Sequence, residues 1–230
     1  MSNNLTMFAD ATINGGVYEK IKVFGEACVL GDINANEISV FGSCTFNGKC
    51  TINYVKLYGE SKFCDFVDVN ELNVKGACNF NEAVKVVRLK IYGATKFLKK
   101  VYRSEVVQFY GSVDVNVLEA DNIYIKGCVN CLEQLNGEKI TIILHNRSQI
   151  KEIVGTNINI KPGFKMFLRK KNNALIDTIE GDEIYLENVI SKTVRGNKIT
   201  IGPNCKIDLI EYRDKCDIYD KKNVKMIEKY

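Results

Sequence analysis

Ser43-Cys-Thr-Phe-Asn-Gly-Lys-Cys-Thr-Ile-Asn-Tyr-Val-Lys-Leu-Tyr-Gly59 decides the fold, because it is answered at once by Glu60-Ser-Lys-Phe-Cys-Asp-Phe-Val-Asp-Val-Asn-Glu-Leu-Asn-Val-Lys-Gly76. The first unit sets out its apolar residues in three pairs: Cys44/Phe46, Cys50/Ile52 and Val55/Leu57. The second repeats them as Ser61/Phe63, Val67/Val69 and Leu72/Val74, the third as Cys78/Phe80, Val84/Val86 and Leu89/Ile91. Each pair is spaced by two, the strand period, and polar or Gly/Asn-rich residues separate the pairs. Three short strands per 17 residues, each sending two side chains inward, describe a coil with three faces. A helical repeat needs apolar spacings of three and four over about 11 residues, and no unit has them.

Working outward, Gly25, Gly42, Gly59, Gly76 and Gly93 stand 17 apart, with Gly111 and Gly127 following at 18 and 16. A second column, Ile33, Cys50, Val67, Val84, Val101, Leu118 and Leu135, keeps the period of 17 throughout. Two columns with one period define a repeat protein. Leu135-Asn-Gly-Glu-Lys-Ile-Thr-Ile142 is echoed from Ile153, Ile179 and Val194. The gap of 26 between Ile153 and Ile179 places an insertion at 161–173, and the gap of 15 to Val194 a tighter coil. The expected fold is all-β, a single-stranded three-sided β-helix (β-solenoid) of roughly ten or eleven coils. It occupies residues 1–210, and 211–230 form a charged cap or tail with one more strand at 224–227. Residues 1–12 either begin a partial coil or leave the edge open. Phe46, Phe63, Phe80 and Phe97 should stack as an internal ladder. The corner glycines should take positive φ, and Asn36, Asn53 and Asn70 are expected at another corner in the left-handed region.

Composition narrows the function. The 230 residues are 46% hydrophobic and 26% charged, and 32 Lys+Arg against 28 Asp+Glu give +4, too little and too evenly spread to point to nucleic acid. No stretch of 18 apolar residues occurs, and residues 1–10 have neither a basic start nor an apolar block, so neither export nor spanning is expected. Nine cysteines without an even framework read as reduced thiols of a cytoplasmic protein. A single histidine removes most acid–base and metal chemistry.

Val55-Lys-Leu-Tyr-Gly59 and Leu72-Asn-Val-Lys-Gly76 resemble the coils of bactofilins, the polymer-forming bacterial cytoskeletal proteins. Ile179-Glu-Gly-Asp-Glu-Ile-Tyr-Leu-Glu-Asn188 and Val194-Arg-Gly-Asn-Lys-Ile-Thr-Ile-Gly-Pro203 resemble the C-terminal halves of bactofilin-like proteins. The resemblance implies a right-handed β-helix that self-associates into oligomers or filaments without nucleotide, catalytic residues or cofactor. The expected function is a non-enzymatic scaffold in the cytoplasm, in peripheral contact with the inner membrane face. The alternative is a capped rod that docks a protein partner or a membrane, and a remote third reading is a β-helix acyltransferase.

Five outward residues before the corner glycines, Phe24, Phe41, Tyr58, Tyr92 and Tyr110, form an aromatic stripe with Lys75 and Lys126 at equivalent places. The stripe is either a self-stacking corner ladder or a lateral contact surface. In the insertion, Phe164, Met166, Phe167 and Leu168 stand beside Lys165, Arg169, Lys170 and Lys171, the mixture that meets anionic lipid; a loop folded back on the solenoid is the alternative. Cys128-Val-Asn-Cys131 has metal or redox spacing, but Cys131 holds an inward position and reads as core. His145 reads as a surface corner residue, and Glu180/Asp182/Glu183 and Asp65/Asp68 as solvated carboxylates.

Overall fold

The computed structural model describes residues 3–8, 10–163 and 172–230. Twelve strands follow in order: β1 (Asn4–Phe8), β2 (Ala11–Ile13), β3 (Gly16–Val29), β4 (Ile33–Phe46), β5 (Cys50–Phe63), β6 (Val67–Phe80), β7 (Val84–Leu144), β8 (Ser148–Pro162), β9 (Ala174–Leu186), β10 (Val189–Ile201), β11 (Lys206–Ile218) and β12 (Val224–Lys229). The only helical piece among the described residues is a 3-10 turn at Lys221–Asn223. The chain is an all-β parallel β-solenoid, divided into two compact units, Met1–Val115 and Asn116–Tyr230.

In the first unit β1 and β2 both pair in parallel with β3, so the N-terminal residues make a partial coil. From β3 to β7 each strand pairs with the same positions 17 residues on, as in Ile38↔Val55↔Leu72↔Leu89. The three short strands foreseen per coil join into 14-residue arcs broken by three-residue turns at 30–32, 47–49 and 64–66. The bends inside each arc are held by single residues. One is the glycine column, where φ is 115° at Gly25, 135° at Gly42 and 128° at Gly59. A Cβ at Gly59 would also stand 2.1 Å from the Gly42 carbonyl oxygen, so both conformation and space require glycine there.

At the other bend the structure corrects the sequence reading. Asn36, Asn53 and Asn70 are not among the residues with positive φ. Their amides instead form a side-chain ladder: Asn70 Nδ2 donates to Asn53 Oδ1 at 2.8 Å, Asn53 Nδ2 to Asn36 Oδ1 at 2.9 Å, and Asn36 Nδ2 to Glu19 Oε1 at 2.9 Å. An amide has both donor and acceptor, so one residue type can continue such a chain from coil to coil. The left-handed asparagines are elsewhere, Asn188 at φ 57° and Asn204 at φ 59°. Asn188 lets two residues, 187 and 188, link β9 to β10, which produces the 15-residue coil.

The interior is dry. Val67 is 1% exposed and Val84 and Val101 are 0%. Phe46, Phe63, Phe80 and Phe97 stack with centroids 4.5, 4.9 and 4.7 Å apart, and Phe109 closes the ladder edge-on at 6.2 Å. The 18-residue step from Gly93 to Gly111 contains Arg103 at φ 60°, an extra residue bulged out of the coil. Just after it, Ser104 Oγ donates to the Val86 carbonyl at 2.8 Å.

In the second unit Leu135, Ile153, Ile179, Val194 and Ile210 share one buried column. The adjacent column, Gly137, Gly155, Gly181 and Gly196, has no positive φ. Its requirement is close approach: a Cβ at Gly155 would lie 2.4 Å from the Gly137 oxygen, and one at Gly181 2.4 Å from that of Gly155. The insertion falls between β8 and β9, and the coil resumes where Ser148 N donates to Asn173 O at 2.9 Å.

Candidate functional site

The corner glycines turn the residue before them outward, and the register aligns these into one column, Phe24, Phe41, Tyr58, Lys75 and Tyr92. Phe8 joins it through β1. Phe8–Phe24, Phe24–Phe41 and Phe41–Tyr58 stack at 5.2, 5.1 and 4.9 Å with their planes nearly parallel. Lys75 Nζ lies over the Tyr58 ring at 5.3 Å, and Tyr92 stacks on Tyr110 at 4.7 Å. Lys90 Nζ sits 5.3 Å from the Tyr92 centroid and 5.8 Å from that of Tyr110. The rings are thus a self-stacked ladder that covers the faces between neighbours and turns the edges to solvent; Phe41 is 42% exposed and Phe8, at the end of the ladder, 73%.

Two further outward columns flank the rings. Lys22, Ser39, Lys56, Asn73 and Lys90 form one, and Lys20, Glu37, Tyr54, Glu71 and Arg88 the other. In the latter, Lys20 Nζ donates to Glu37 Oε2 at 2.7 Å and so lowers the Glu37 pKa, while Arg88 pairs with Glu71. The hydrogen bond from Lys90 to Tyr92 raises the lysine pKa.

Charges in the second unit are paired along the coil axis as well. Glu180, Asp182 and Glu183 fall opposite Arg195, Asn197 and Lys198 one coil on. Asn197 Nδ2 donates to Asp182 at 2.8 Å, Lys198 Nζ to Glu183 at 3.0 Å, and Arg195 lies 3.8 Å from Glu180 and 2.6 Å from Glu211. These carboxylates are solvent-exposed, as expected, and in addition have cross-coil partners; in the first unit Asp68 likewise pairs with Lys85. The sequence reading missed them because the partner is a whole coil away; the signal was Glu-Gly-Asp-Glu matched by Arg-Gly-Asn-Lys at the same phase of the repeat.

Cys131 is buried in the core, and that burial raises its thiol pKa to about 12. Among the described residues no three His, Cys, Asp or Glu side chains could hold a metal ion together. His145 is exposed on the turn after β7, its backbone N donating to Gly127 O at 2.9 Å. Phe164, Met166, Phe167, Leu168, Arg169, Lys170 and Lys171 lie outside the described residues. A groove along β9–β12 is lined by Leu175, Ile190, Lys206 and Lys222 and by the ion pairs Asp177–Lys192 (2.9 Å) and Asp208–Lys225 (2.7 Å).

A parallel β-solenoid with an interior of packed columns and a surface of cross-coil ladders fits a structural or scaffold role. The chain is similar to Uncharacterized protein YhbF of Bacillus subtilis (strain 168), 45% identical over 84 residues, which are 36% of each chain. It is also similar to Uncharacterized protein YhbE of the same organism, 37% identical over 83 residues, 34% of this chain and 35% of that one. The matches thus span about a third of the length of these curated relatives. No family model and no solved structure matches the chain.

Proposed function

We propose that the chain is a non-enzymatic, self-associating scaffold of the bactofilin kind, working in the bacterial cytoplasm. The observation that carries this reading is the state of the terminal strands. Among the described residues β1 pairs only with β3 and β12 only with β11, so each leaves one edge of backbone donors and acceptors open to a further strand. The apolar residues Met226 and Ile227 are exposed on β12. Support for a non-catalytic role comes from how the reactive groups are engaged. The clustered carboxylates are tied into axial ladders, and Cys44, Cys50, Cys78, Cys131 and Cys205 have thiol pKa values raised by burial.

Electron microscopy and sedimentation velocity across protein and salt concentration test this. Particles that lengthen with concentration are expected, and Met226→Lys/Ile227→Lys should shorten them. Monodisperse monomers under every condition reject self-association. That outcome would favour the second reading, a binding module that docks a partner through the half-exposed ring edge. Membrane contact through the 164–171 segment rests on its residue types alone.

A further inference from the structure

The outward faces of the first unit differ in charge. Between the asparagine bend and the glycine bend, β3–β7 present Lys20, Lys22, Lys56, Lys75, Arg88 and Lys90 against Glu37 and Glu71. The face past the glycines sets Lys62 and Lys96 against Glu26 and Glu60, and the face before the asparagines only Lys85 against Asp68. Both carboxylates of the basic face have partners on it: Glu37 is held by Lys20 at 2.7 Å, with Lys56 a further 4.0 Å neighbour, and Glu71 is held by Arg88. Six cations against two carboxylates leave an excess of four positive charges on this face. Lys22, Lys56 and Lys90 occupy alternate coils of one column, so their stems rise from a flat sheet about 10 Å apart.

Alongside them runs the ring ladder. An anionic partner whose bases or rings must stack on successive exposed aromatic faces finds the faces between Phe8 and Tyr58 taken, since the rings stack on each other at 4.9–5.2 Å. What the ladder offers is a line of apolar ring edges, three of them Phe without a polar tip, next to cations on flexible stems. That combination matches the boundary between headgroups and acyl chains, where apolar edges insert shallowly and lysines meet phosphates.

We propose that this face lies on an anionic lipid surface, with Lys22, Lys56 and Lys90 at the headgroup phosphates and the Phe24–Phe41–Tyr58 edge at the acyl boundary. It does not depend on self-association, and it uses a surface separate in sequence from residues 164–171.

The test is sedimentation of the full chain with phosphatidylcholine vesicles and with vesicles also containing phosphatidylglycerol. Binding is expected only to the anionic vesicles. K22E/K56E/K90E should weaken it on the order of a hundredfold. K49E/K62E/K96E carries the same net charge on other parts of the coil surface and should bind within a few-fold of the parent. A β-type circular dichroism spectrum and an unshifted melting midpoint establish that each variant is folded, and K22Q/K56Q/K90Q, with no reversed charge, serves if the first triple is not. Absence of wild-type binding, equal loss in both triples, or full binding by the facing triple overturns the proposal. Wild-type binding to soluble polyphosphate but not to vesicles would also overturn it, assigning the face to an anionic polymer. Monodisperse wild type that still binds vesicles would reject the scaffold while leaving the lipid face standing.

Discussion

Thr95 occupies an inward position opposite Cys78, which itself lies opposite Ser61, in a column otherwise lined by thiols and alkyl groups. The Thr95 and Ser61 hydroxyls are buried without a hydrogen-bond partner. Ser104 differs in one respect: it is equally buried, but its Oγ donates to the Val86 carbonyl at 2.8 Å. An unsatisfied buried hydroxyl costs its desolvation and returns nothing, whereas a satisfied one contributes about 1 kcal/mol net. Thr95→Val, which keeps the shape and removes the polar atom, should therefore raise stability by about 1 kcal/mol, and Ser104→Ala should lower it by about the same. Urea unfolding midpoints would measure both; a destabilised Thr95→Val would mean that the hydroxyl has a partner in solution.

Between neighbouring strands the unit of interaction is the axial pair. Lys198 on β10 meets Glu183 on β9 at 3.0 Å with both side chains more than half exposed, so the pair belongs with surface salt bridges worth about 0.2–1 kcal/mol. Glu183→Lys places like charges opposite each other and should cost about 0.5–1 kcal/mol, and adding Lys198→Glu should restore most of it. A double-mutant cycle in low salt, repeated in high salt where the coupling should shrink, reads this out. The same geometry explains which features the sequence disclosed. Buried pairs such as Val67/Val69 reveal themselves locally, because alternation by two is visible within one strand. Glu183 does not, because its partner is 15 residues distant and becomes a neighbour only once the coil length at that place is known. The corner position of Asn53 is legible in the repeat, but the residue type suggests a backbone preference where the side-chain amide does the bonding. The ring stripe is legible as outward and aligned, and of the two readings that alignment leaves open the rings take the self-stacked ladder, a choice set by ring planes that spacing does not encode. The lysine column is hidden in the sequence, since Lys22, Lys56 and Lys90 are two coils apart and interrupted by Ser39 and Asn73.

Across the whole chain, the period of 17 could be read because one winding of a β-solenoid stacks identical side chains on each other, so the energetic demand of a column is also a sequence period. Places that depart from that period, the Arg103 bulge and the two-residue link at 187–188, were visible as changed spacings but not as conformations. Closed packing around these columns also sets how the molecule responds to base. Of the nine free cysteines, Cys44, Cys50, Cys78, Cys131 and Cys205 are buried. Burial raises the Cys44, Cys50 and Cys131 thiols from 9.0 to about 12 and Cys205 to about 11, and shifts Cys78 upward too. A raised acid is held neutral in the fold, so below the unfolded value neither state ionises and stability is independent of these groups. Above it the unfolded chain releases protons that the folded chain retains, and the unfolding free energy falls by up to about 1.4 kcal/mol per pH unit for each thiol. Stability should thus be level from neutral pH to about 8 and drop steeply between the unfolded value near 9.0 and the folded values near 12. Urea midpoints at pH 7 and pH 10, with Cys50→Val as the comparison, would show it. The variant should lose one thiol's share of the slope, and an unchanged slope would mean that Cys50 is not shielded from water as the column requires.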